Sequence, residues 1–421
     1  MARVLLQKVT KKYGDTLAVS ELDLLVRDGE FLVLLGPSGC GKTTVLRMIA
    51  GLEDVTSGEI YIGERLVNGL PPRERNVAMV FEGPNFGLYR HMTAYDNMAF
   101  GLRLRKHLPF LAAEDEARAT DADVGSAAGN AGNAGALQDR SQKEAAIRDR
   151  VEGMARRLNL ERYMHRKPNQ LSSGHNQVLA LGHSLVQRPD VFLMDDPLSQ
   201  IDEHNRSAHR LEMRKQHREF NTTTIYVTHD QQDAMALGDR IAVMNEGVLQ
   251  QVGTAQALYA HPTNMFVAGF IGSPSMNLLR AIIETEGEHM FLQGQGFRVR
   301  VPKQLANRLY GRAGNDIVLG LRPEAICDPH YMANMDNMDN MNNPDPQTLV
   351  TGRVTAREYT GPDIYLHLAL DSPGRQIGEV GQEIVARMDQ RTNAWPPDTF
   401  TVAFDMEQMH AFDPRTEIDL L

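Results

Sequence analysis

EFLVLLGPSGCGKTTVLRMIAGL, residues 30–52, is the stretch that decides the fold. Its first part, FLVLL, has the length and composition of a strand buried on both faces. A glycine-rich loop interrupts the run, and an amphipathic helical pattern follows. The loop residues Gly36, Pro37, Ser38, Gly39, Cys40, Gly41, Lys42 and Thr43 fit G-x4-G-K-[ST], with Thr44 directly after them. Between a strand and a helix that pattern has a physical purpose. Glycines let backbone N–H groups turn inward around phosphates, and the positive end of the helix adds to the attraction. Lys42 is expected to reach the β- and γ-phosphates of a nucleotide, and the Thr43 hydroxyl to ligate Mg2+.

Outward from the loop, short apolar runs recur at NVAMVF (76–81), DVFLMDD (190–196), TTTIYVTHD (222–230) and DRIAVMNEG (239–247). They read as further buried strands, and their alternation with helical patterns implies a mostly parallel sheet covered by helices. DVFLMDD ends in two acids, which are costly at a buried strand end unless they are used. Asp195 is the expected second contact to Mg2+, and Asp196 the carboxylate that polarises an attacking water.

The rest of the chain sets the bounds. With 421 residues, two or three domains are expected. An apolar fraction of 42% and a charged fraction of 23% are those of a folded globular protein. The net charge of −10 argues against nucleic acid and against an anionic membrane surface as partners. The two cysteines, Cys40 and Cys327, support neither a disulfide framework nor a zinc ribbon, and suit a reducing compartment. No apolar run suits a signal peptide, and none approaches the roughly 18 residues of a transmembrane helix.

After about residue 245 the texture changes to short alternating stretches, GFRVRVP, DIVLGLRP, TGRVTAREYTG, DIYLHLAL and TFTVAFD, the strands of a small barrel or sandwich. Residues 107–143, rich in Ala, Gly, Asp and Asn, read mostly as a flexible surface insertion. The Met/Asn/Asp stretch at 331–346 reads as a solvated loop.

With these features in order, the chain closely resembles the ATP-binding subunits of ABC transporters, and within them the carbohydrate importer group that serves maltose, sn-glycerol 3-phosphate and similar solutes. MTAYDNMAFGLRLRK, YVTHDQQDAMALGDRIAVMNEGVLQQVGT, LYAHPTNMFVAGFIGSPSMNLL and LGLRPEAI carry the likeness. It implies an α/β P-loop NTPase, an ABC nucleotide-binding domain over residues 1–240. A helical subdomain is expected at about 88–175, and an all-β OB/TOBE-like domain over 241–421. It further implies ATP and Mg2+, and a location on the cytoplasmic face of the bacterial inner membrane. The implied partners are two transmembrane permease subunits, a second ATP-binding subunit identical or different, and indirectly a solute-binding protein.

The resemblance also assigns residues. Tyr13 matches the aromatic that stacks on adenine. His229 matches the switch histidine at the γ-phosphate, and Asp202 the aspartate of the loop linking the two nucleotide sites of a dimer. Ser172, Ser173, Gly174 and His175 match the signature that caps the partner's γ-phosphate. Glu82 matches the residue that senses Mg2+ and the water. Three positions depart from the family pattern. The signature reads LSSGH instead of LSGGQ, with Val178 where arginine is common; Glu82 replaces glutamine; Asp196 replaces glutamate. Aspartate shortens the reach by about 1.5 Å, and a displacement of roughly 1 Å in a positioned group can cost ~100-fold in rate. Slow hydrolysis is the expectation, with a hydrolysis-deficient regulatory subunit as the alternative.

Overall fold

The computed structural model describes residues 2–81, 87–104, 134–199, 203–329, 345–361, 363–370 and 382–421. It divides into two compact units, Met1–Val252 and Gly253–Leu421. In the first, β1 (Val4–Tyr13), β2 (Thr16–Val26), β3 (Phe31–Leu35) and α1 (Lys42–Ala50) come in quick succession. β4 (Ser57–Ile62), β5 (Arg65–Leu66) and β6 (Val77–Val80) follow. Then come the helices α2 (Ala94–Leu104), α3 (Ala134–Arg157) and α4 (Ser173–Leu185). β7 (Val191–Asp195), α5 (Glu203–Phe220), β8 (Thr223–Thr228), α6 (Gln231–Leu237), β9 (Arg240–Asn245) and β10 (Val248–Gly253) complete the unit.

Two sheets result. The larger runs β10-β9-β3-β8-β7-β6, and its β3–β8, β3–β9, β7–β8 and β6–β7 pairs are parallel. All five residues of β3 and all six of β8 are buried, as strands covered on both faces must be. The smaller sheet, β2-β1-β4-β5, is antiparallel, and Val4, Leu6 and Val9 of β1 point inward between more exposed neighbours. Both sheets close on α1: Val45, Leu46 and Ile49 share one apolar cluster with Leu6, Leu24, Ile60, Leu32 and Leu193. The phosphate-loop helix is thus held on both sides.

The helices α2, α3 and α4 pack against one another. Gly182 of α4 permits the approach, since a Cβ there would stand 2.9 Å from Leu158 and 3.0 Å from Met98. Within the 107–143 stretch, α3 begins at Ala134, so residues 134–143 are helical. Ala, Leu, Gln, Arg and Lys dominate there, and these favour a helix without any apolar periodicity. The rest of the 107–143 stretch lies outside the described residues.

The second unit holds α7 (Ala255–Ala260), α8 (Met265–Phe270), β11 (Asn277–Glu286), β12 (His289–Gly294), β13 (Phe297–Arg300), α9 (Lys303–Leu309) and β14 (Asp316–Leu321). β15 (Ile326–Cys327), β16 (Leu349–Tyr359), β17 (Ile364–Leu370), β18 (Gln382–Met388), β19 (Thr399–Phe404) and β20 (His410–Phe412) follow. These strands form two antiparallel five-stranded sheets, β13-β12-β11-β14-β20 and β15-β19-β16-β17-β18. Inward residues of both, among them Leu292, Leu319, Val354, Leu366 and Val402, build one core. Arg322, in LGLRP, is a structural pillar. Its guanidinium donates to the carbonyls of Ala268, Ile271 and Tyr259 and stacks 4.0 Å from the Tyr259 ring. Residues 331–344 of the Met/Asn-rich loop lie outside the described residues. No helix among the described residues is long and apolar enough to cross a membrane.

Candidate nucleotide-binding site

The phosphate loop leaves β3 at Leu35 and enters α1 at Lys42. Gly41 caps the helix with φ +99°, a left-handed conformation that an L side chain rarely adopts. A Cβ on it would also stand 2.4 Å from the Ala18 carbonyl, so the position is closed to any other residue twice over. Gly36 is packed as tightly from the other side, 2.2 Å from Met244 O for a Cβ placed there. The loop is pinned by Gly247 N–H, which donates to Cys40 O at 3.1 Å. Lys42 is buried, and its ammonium donates to the carbonyls of Gly36 (2.8 Å) and Pro37 (2.7 Å), which draws the charge into the mouth of the loop.

The parallel sheet brings the strand-end residues to this loop. β7 and β8 run side by side, with Asp195 opposite Val227. The Thr43 hydroxyl, at the start of α1, donates to Asp195 Oδ1 at 2.9 Å. An alcohol and a carboxylate oxygen are hard donors, and Mg2+ usually takes one or two protein oxygens together with substrate phosphates. The pair therefore fits Mg2+. One residue further, Asp196 is nearly buried and has φ +42°, a conformation that Asp tolerates better than most residues. Its carboxylate accepts from Thr228 Oγ1 at 3.2 Å and meets His229 Nδ1 at 2.8 Å. The His229 side chain is 61% exposed, so its other ring nitrogen is open to a ligand beyond the strand ends. Thr228 was not foreseen from the sequence, yet it is fully buried and organises the cluster, accepting from Asp230 N–H at 3.0 Å as it donates to Asp196. The only sequence signal for it is its place directly before His229 at the end of β8.

The signature lies apart from this cluster, at the start of α4. Ser172 caps the helix: its hydroxyl accepts from His175 N–H at 3.3 Å and lies 2.6 Å from His175 Nδ1. The His175 ring leans on Tyr163 with centroids 4.2 Å apart. Gly174 faces His209 of α5, whose Cε1 would be 2.9 Å from a Cβ at 174. Ser173 is the first helical residue. Tyr13 ends β1 as an exposed aromatic, with the Lys11 ammonium 4.7 Å from its ring centre. Glu82 and Asp202 lie outside the described residues.

Strand, phosphate loop, helix and strand-end carboxylates together define a P-loop nucleotide-binding protein. A family model described as ABC transporter matches residues 19–199, and one described as MalK OB fold domain matches 272–326. The chain is 40% identical over 424 residues to the trehalose/maltose import ATP-binding protein MalK of Thermococcus litoralis, covering 99% of each chain. It is 39% identical over 419 residues to the uncharacterized ABC transporter ATP-binding protein YurJ of Bacillus subtilis, again with 99% of each chain covered. The oligosaccharides import ATP-binding protein MsmX of Bacillus subtilis is 37% identical over 419 residues, with the same coverage. This chain belongs to the ABC transporter ATP-binding proteins, a family of ATPases.

Proposed function

We propose that this protein binds Mg2+-ATP and hydrolyses it slowly to energise an importer of sugars, polyols or glycerol 3-phosphate. It works at the cytoplasmic face of the membrane, docked on two permease subunits and paired with a second ATP-binding subunit. A solute-binding protein delivers the cargo. Relatives named for maltose and oligosaccharide import support the solute class. The single observation that carries the catalytic reading is that Asp195, Asp196 and His229 lie at adjoining strand ends, with Asp195 bonded to Thr43 at the start of α1 and Asp196 to His229.

In this reading backbone N–H groups of residues 36–43 and the Lys42 ammonium hold the β- and γ-phosphates. Thr43 and Asp195 would hold Mg2+, which when bound neutralises developing charge on the phosphate oxygens. Asp196 accepts a proton from the attacking water, and His229, oriented through Nδ1, orders that water and the γ-phosphate. Tyr13 supplies a face for the adenine, and Ser172, Ser173, Gly174 and His175 close over the partner's nucleotide. Glu82 and Asp202 are proposed for water sensing and for the link between sites.

The second reading, a regulatory subunit that binds ATP without turnover, is favoured by the engagement of Asp196 with both Thr228 and His229. Phosphate release and ATP binding by purified protein separate the two. Binding with no release above that of a Lys42→Ala control sinks the ATPase reading. Uptake of labelled maltose, glycerol 3-phosphate and an amino acid by cells lacking the chain tests the solute class.

A further inference from the structure

Helix α3 carries arginines at 150, 156 and 157 and a glycine at 153. Positions 150, 153 and 157 are three and four residues apart, so they share one face. Arg188, in the turn after α4, joins them, and with Asp149 these groups line a cavity of about 320 Å³. Gly153 is part of its lining. A Cβ there would meet nothing closer than Arg156 Nη2 at 4.0 Å, so no close packing calls for glycine. Glycine in a helix interior weakens the helix relative to alanine. What it leaves here is open space between cations.

Four guanidinium groups and one carboxylate give the lining a net charge of 4 − 1 = +3. Arg150 is fixed among them: its Nε–H donates to Val186 O, the cap of α4, at 3.1 Å. Burial first, then the like charges of Arg188 and Arg157, pull its guanidinium down to about 10. Arg157 is also paired loosely with Glu219, 3.8 Å away. Like charges gathered around a hollow repel one another, an entering anion relieves the part that Asp149 and Glu219 do not offset, and the planar fork of arginine matches phosphate oxygens two at a time.

We propose that Arg150, Arg156, Arg157 and Arg188 form a binding site for a phosphorylated anion bearing two or more negative charges. The site is at the end of α4 opposite Ser172. A helix of 13 residues spans about 20 Å, so the signature and the anion site are the two ends of one rigid rod. The site stands independently of the transport reading.

Full-length protein carrying one equivalent of Mg2+ and a non-hydrolysable ATP analogue is titrated calorimetrically with fructose 1,6-bisphosphate, glucose 6-phosphate and pyrophosphate. In parallel it is sedimented with phosphatidate-containing vesicles. The expected result is saturable binding, one per chain, weakened roughly tenfold or more by the double change Arg150→Gln and Arg188→Gln. Gly153→Leu weakens it equally, because it fills the cavity without altering charge and strengthens the helix. Binding of soluble probes makes a free metabolite the source; binding of vesicles alone makes it a lipid headgroup. Absence of saturable binding by every probe overturns the proposal. So does binding that Gly153→Leu leaves intact, since that is diffuse attraction to a basic surface. Retained binding of the ATP analogue shows that each variant is folded.

Discussion

Asp196 holds three constraints at one position: a left-handed backbone, a buried carboxylate, and partners in both Thr228 and His229. Its side chain is one methylene shorter than the glutamate of the family pattern, and a general base works within about 2.6–3.2 Å of its proton or through one water. If reach limits the rate, Asp196→Glu raises phosphate release by roughly 10- to 100-fold while ATP affinity stays level. The longer side chain tolerates φ +42° less well, so a small fall in Tm accompanies the gain. An unchanged or lower rate in a folded variant rejects the reach account. Asp196 itself was legible in DVFLMDD, because an acid directly after a buried run has few structural uses. Thr228 was not, because a threonine at a strand end is ordinary until its hydroxyl is seen on Asp196.

At the scale of elements, the helices that surround the sheet carry half-buried histidines. His183 of α4 lies 2.6 Å from Asn97 O of α2, and His217 of α5 packs edge-on to Phe31 with ring centres 5.1 Å apart. Burial holds both imidazoles below the ordinary histidine range. As pH falls past about 6.5, the unfolded chain takes up protons that the folded chain refuses, so stability falls with pH. Above that value both states are neutral and the effect vanishes. Tm is expected to be level between pH 7 and 8 and to drop by a few degrees between pH 6.5 and 5.5. His183→Gln, which keeps a donor toward Asn97 O, shrinks the drop; a Tm that rises on acidification over this range contradicts the assignment. Strands were easier to read than helices here. Their apolar runs and period-two alternation survive in short segments, whereas the start of α3 has helix-forming residues but no apolar stripe to reveal it.

For the whole molecule, the consequential feature is that the last strands of the first unit brace its phosphate loop. β9 pairs with β3, Met244 O stands over Gly36, and Gly247 N–H holds Cys40 O. A fragment of residues 1–252 is therefore expected to bind Mg2+-ATP within about threefold of the full chain. A fragment ending at 239 lacks β9 and β10, and we expect neither cooperative unfolding nor nucleotide binding from it. Equal binding by the two fragments shows that the bracing has no part in forming the loop. The sequence by itself determined the two fold classes and pointed to most residues of the candidate nucleotide site. Strand periodicity, the glycine loop and strand-end acids are local patterns, and each carries its own physical reason. Only the tertiary structure decided which distant groups meet: Thr228 with Asp196, His209 with Gly174, Met244 with Gly36, and Arg188 with the arginines of α3. Periodicity tells which face of an element is covered, while the residue that covers it is set by the order and direction of strands and helices in space.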